Sequence, residues 1–131
     1  MRTIRGRYHS TLPTLTDGQW SDLQLDSRGR PIISAEHTTT GIGHGVKTVT
    51  TAGTDEALAA STAVKWVIVQ AQTDNTGVIA LGATGVDATI ATGTGILLAA
   101  GEKFTIPCDN LADLYVDATV SGDGVRYIYG S

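Results

Sequence analysis

Apolar and polar residues alternate in short bursts along residues 46–131, and Gly, Asn, Asp, Ser and Thr separate the bursts. This spacing predicts many short strands rather than long helices. Residues 64–72 (VKWVIVQAQ) are the most apolar stretch. As a strand they place Val64, Trp66 and Ile68 on one side and Val67, Val69 and Ala71 on the other, so both faces are expected to be covered, with Trp66 in the core. Leu114, Val116 and Ala118 alternate with Asp113, Tyr115 and Asp117, which predicts a strand with one apolar and one wet face. Ser121-Gly122-Asp123-Gly124 then supplies turn chemistry, and residues 125–129 (VRYIY) are expected to return as the hairpin partner. Between these lie strand expectations at 46–51, 57–60, 78–81, 96–99 and 103–106, although Thr54-Asp55-Glu56 equally suits the cap of a single helical turn. Residues 82–95, rich in Thr and Gly, read as one long loop. Eight or so short strands without an internal repeat predict an all-β fold, a β-sandwich or jelly roll.

The first thirty residues differ. Ile4, Tyr8, Leu12, Leu15, Trp20, Leu23 and Leu25 are apolar anchors without a sustained period. The pattern predicts an extended N-terminal arm over residues 1–30 and a body over residues 31–131. The arm is too apolar to be a purely solvated tail, so its side chains are expected to dock, Trp20 foremost. Leu23 and Leu25 alternate with Asp22, Gln24 and Asp26, which allows a short strand. Residues 27–30 then turn the chain into Pro31-Ile32-Ile33, an extended piece that its proline confines to an edge or a strand start.

Length and charge narrow the picture. A chain of 131 residues buries one core. The net charge of −4 is uneven: residues 1–30 hold five Arg against three Asp, and residues 31–131 hold four basic against ten acidic groups. An acidic body argues against nucleic acid as a direct partner. Cys108 is the one cysteine, so no intramolecular disulfide forms. No apolar run has the length of a signal peptide or of a membrane span, so a soluble protein made in the cytoplasm is expected.

The stretch TTTGIGHGVKTV (residues 38–49) raises the possibility of a phosphate loop. Gly41, Lys47 and Thr48 stand in P-loop register, but Val46 occupies the second glycine's place, and the β-branched residues that follow reject helix. The stretch reads instead as a flexible connector leading into a strand. His37 and His44, seven residues apart, are too loosely placed to imply a metal. Asp113 and Asp117 flank Tyr115 on one strand face, where two acids suit a glycosidase or calcium, but a wet sheet face needs polar residues at such positions anyway. Tyr115, Tyr127 and Tyr129 are expected to project as an aromatic patch. No enzyme chemistry, cofactor or metal is expected.

Two stretches carry a resemblance. Leu15-Thr16-Asp17-Gly18-Gln19, running into Leu23-Gln24-Leu25-Asp26-Ser27-Arg28-Gly29-Arg30, resembles the N-terminal arm of small virion proteins of tailed bacteriophages. Residues 65–71, Asn75-Thr76-Gly77-Val78, residues 98–102, residues 109–117 and residues 124–129 resemble their C-terminal domains. The likeness implies a structural protein of the capsid exterior, a cement or decoration protein that forms a homo-dimer or homo-trimer and bridges subunits of the major capsid protein. The alternative is a neck or tail adaptor, or a glycan-binding receptor-recognition module of the virion. In the cement reading Arg2, Arg5, Arg7, Arg28 and Arg30 meet acidic or carbonyl-rich patches, while Leu12, Leu15, Trp20, Leu23 and Leu25 fill grooves.

Overall fold

The computed structural model describes residues 39–131 throughout and, before them, the strands at 6–8 and 23–25 together with residues 28 and 30. The chain divides into two compact units, residues 1–37 and 38–131. In the first, β1 (Gly6–Tyr8) and β2 (Leu23–Leu25) pair in parallel, with Arg7 opposite Gln24. The second is all-β. Its strands are β3 (Ile42–Thr48), β4 (Glu56–Ala57), β5 (Trp66–Ala71), β6 (Ile79–Gly82), β7 (Ile96–Leu98), β8 (Lys103–Ile106), β9 (Tyr115–Ala118) and β10 (Gly124–Gly130). One turn of 3-10 helix at Leu111–Asp113 precedes β9; Asn110 caps it by accepting the Ala112 N–H. No helix among the described residues is long and apolar enough to cross a membrane.

The strands form two antiparallel four-stranded sheets, ordered β3-β10-β5-β8 and β4-β9-β6-β7. One buried cluster draws on both: Val67, Val69, Ala71 and Val125 from the first, and Ile79, Leu81, Leu98, Val116 and Ala118 from the second. β-branched residues dominate because they pack well on a pleated surface. Each fully buried Val or Leu of this set contributes about 1.5–3 kcal/mol by leaving water.

Most expected strands appear within a residue or two of their sequence positions, but three expectations are corrected. The glycine-rich stretch is no connector, because β3 begins at Ile42. Residues 115–118 and 124–130 do not form a hairpin: β9 and β10 lie in different sheets, and the link between them crosses from one to the other, held by the Val49 N–H to the Asp123 carbonyl and the Gly122 N–H to the Val49 carbonyl, both 2.9 Å. Trp66 is not in the core. In β5 the buried positions are Val67, Val69 and Ala71, while Trp66 is half-buried on the opposite face and donates its indole N–H to Thr39 Oγ1 at 3.3 Å.

The glycines of β3 have a packing cause. Register puts Gly43 opposite Tyr129 and Gly45 opposite Tyr127. A Cβ at Gly43 would stand 2.3 Å from Tyr129 Oη, and one at Gly45 the same distance from Tyr127 Oη. The rings lie over the bare backbone, so glycine is required for close approach. The two rings stack with centroids 6.3 Å apart and pack against the core.

Candidate functional site

Of the two carboxylates that sequence alone left open as chemical groups, Asp113 is exposed at the end of the 3-10 turn and Asp117 is structural. Asp117 is 1% exposed, not on a wet face. Its Oδ1 accepts the N–H groups of Gly53 at 2.9 Å and Ala118 at 2.8 Å, and its Oδ2 accepts that of Ala88 at 2.8 Å. One side chain thereby ties residues 50–53 and the 82–95 loop to the second sheet. The loop covers the sheet there, with Val86 and Ala88 packing on Ala80 and Tyr115. Asp123, also buried, accepts the N–H groups of Thr76 at 3.1 Å and Gly77 at 2.7 Å. Asp87 accepts the Thr89 N–H and hydroxyl, and these bonds hold its carboxyl below the usual range. A depression of about 560 Å³ lies over Asp87, Ala88 and Asp117, where both Asp117 oxygens are already taken by backbone N–H donors.

Glu56 on β4 and Lys47 on β3 join the two sheets through a 2.6 Å ion pair. The Lys47 ammonium first, then the Thr50 hydroxyl and N–H, draw the Glu56 carboxyl down from 4.5 to about 2. A carboxyl held below its unfolded value stabilises fully above that value, and the contribution vanishes as pH falls through the folded one. Thermal melting from pH 5 to 2 is therefore expected to show a steeper acid loss for the wild-type chain than for Glu56→Gln. Identical slopes would contradict the pairing.

The expected tyrosine patch does not exist. Tyr127 and Tyr129 point to the core side of the first sheet, and burial lifts the Tyr127 phenol above its ordinary value. Tyr115 belongs to the other sheet. Cys108 is half-buried against the core, with its thiol pushed up by burial and then by Asp109 and Asp113, so the thiolate is disfavoured. Among the described residues no three of His, Cys, Asp and Glu gather as a metal would need.

Of the arm residues expected to bind a partner, Arg2, Arg5, Leu12, Leu15 and Trp20 lie outside the described residues, as does His37. Arg7 is a backbone position of β1, and Leu23 and Leu25 are backbone positions of β2. Arg28 and Arg30 are exposed.

A surface that the sequence did not announce lies on the outer face of the first sheet. Cross-strand register arranges it in rows running across the strands. Val46, Arg126, Gln70 and Lys103 form one row, His44, Ile128, Ile68 and Thr105 the next, and Ile42, Gly130 and Trp66 a third. Ile42 is 70% exposed, Val46 62% and Ile128 40%. A groove of about 460 Å³ runs between the first two rows. The period-two placing of Ile42, His44 and Val46 was the available signal, hidden because the glycines between them made the stretch read as a loop.

Comparison with protein-family models, with curated proteins and with solved structures returns no match to this chain.

Proposed function

We propose that this chain is a non-enzymatic structural component of a tailed-bacteriophage virion, a cement or decoration protein of the capsid exterior. Its body is a β-sandwich of jelly-roll type, and its N-terminal segment is an arm that bridges subunits of the major capsid protein. The observation that carries the reading is how the body uses its polar groups: Asp117, Asp123, Asp87 and Glu56 clamp loops and join sheets, while large aliphatics remain on the outside. Such chemistry suits a rigid contact-making block. The resemblance of residues 15–30 and of the segments between 65 and 129 to small virion proteins gives the block its setting. Repetition over a shell makes modest contacts collectively strong, and a homo-dimer or homo-trimer multiplies them again.

Removing residues 1–25 is expected to abolish most of the chain's sedimentation with phage heads while leaving its melting transition in place. Unchanged binding by the shortened chain would overturn the role given to the arm. Glycan recognition through Tyr127 has no support from the geometry, since that ring faces inward.

A further inference from the structure

The body carries four basic residues against ten acidic ones, yet two of the four, Arg126 and Lys103, stand in a single row on the outer face of the β3-β10-β5-β8 sheet. No carboxylate occupies any outward position of that face. Lys47 on the inward side is paired with Glu56, whereas neither Arg126 nor Lys103 has an ion-pair partner among the described residues. Both are exposed, as is His44 at the groove's β3 end. Val46 stands at the β3 end of this cationic row, and beside it runs a second row whose Ile128 and Ile68 form the groove's floor.

We propose that this groove is a docking site for an acidic, aliphatic segment of a partner protein, a second contact surface distinct from the N-terminal arm. The occupant follows from the chemistry. Two uncompensated cations separated by two strand spacings, roughly 10 Å, call for a segment with carboxylates on one side. The floor of Ile68 and Ile128 calls for aliphatic side chains on the other. Nucleic acid fits poorly, because the floor offers neither a stacking ring nor further cations and the chain carries −4 overall. A second copy docked face to face about a two-fold axis would set like-charged rows against each other. The groove is small, so each contact is weak by itself and counts through repetition.

The test uses the full-length chain, isotopically labelled and titrated with an amphipathic Glu/Leu peptide and with its Gln/Leu counterpart. The Glu/Leu peptide is expected to perturb backbone amides of residues 44–46, 68–70, 103–105 and 126–128. It should bind about tenfold or more tightly than the Gln/Leu peptide, and the advantage should shrink as salt rises. Arg126→Glu and, independently, Lys103→Glu lie on exposed side chains and should each remove most of that preference without moving the melting temperature. Equal binding of the two peptides would overturn the proposal, as would indifference to both charge reversals. So would tighter binding to phosphatidylglycerol vesicles than to the Glu/Leu peptide, or self-association that Arg126→Glu abolishes. Both variants keep the arm, so failure here leaves the shell-binding role of residues 1–25 separately testable.

Discussion

Asp117→Ala is expected to lower the unfolding free energy by about 2–5 kcal/mol, because the buried N–H groups of Ala88 and Ala118 lose their acceptor, the Gly53 N–H keeps only the Ala118 carbonyl at 3.2 Å, and each unsatisfied donor costs about 1–3 kcal/mol. A domain of this size has a total stability of about 5–15 kcal/mol, so the variant should unfold at a much lower urea midpoint. Asp117→Asn separates the two tasks of the carboxylate. Its amide oxygen can keep Gly53 and Ala118, but the amide nitrogen would face the Ala88 N–H, donor against donor. That variant should lose less stability than alanine yet exchange the Ala88 amide much faster, which hydrogen exchange resolves. A midpoint for Asp117→Ala close to that of the wild-type chain would refute the clamp.

The second large effect falls on β3. Gly43→Ala and Gly45→Ala each place a methyl group inside the space of a tyrosine ring. Inserting a methyl into a filled space costs about 1–3 kcal/mol, so the double variant should lose roughly 2–5 kcal/mol. Strand propensity alone predicts the opposite sign, since alanine in place of glycine stabilises a strand by lowering the unfolded chain's entropy. The ring is the reason for the reversal. In the Tyr127→Ala background, Gly45→Ala should therefore become neutral or stabilising. A double-mutant cycle by urea denaturation that shows no coupling would remove the ring from the explanation.

Much of the strand map was legible because turn residues punctuate this chain at the places where the backbone turns. Residues 103–106 match β8 in full, and residues 64–72 enclose β5. Four readings failed for one physical reason: a partner distant in sequence decided the matter. Glycine in the 38–49 stretch signals a loop until the cross-strand tyrosines are known. The Asp113–Asp117 alternation signals a wet face until the 82–95 loop is seen to cover Asp117 and to donate the Ala88 N–H to it. The Asp-Gly pair before β10 signals a hairpin, but the turn that closes there, with the Asp123 N–H on the Val120 carbonyl at 3.3 Å, carries the chain between sheets, and the Asp123 carboxylate gathers the amides of Thr76 and Gly77. Trp66 signals a core, yet β5 gives its fully covered face to Val67, Val69 and Ala71. Of the residues that sequence singled out for contact, Arg2, Arg5, Leu12, Leu15 and Trp20 lie outside the described residues. The cationic row was not legible, since Arg126 and Lys103 are 23 positions apart and meet only through the register of three strands.

The proposed role rests on contacts that this chain makes on an assembled particle. The most direct measurement is the stoichiometry of the purified full-length chain on intact phage heads, read by co-sedimentation and by image reconstruction of the pelleted particles. Saturable binding at a fixed ratio to the major capsid protein is expected, with symmetric density for the body on the outer surface of the shell. A chain that stays in the supernatant at every concentration, or that pellets without ordered density on the head, would contradict it.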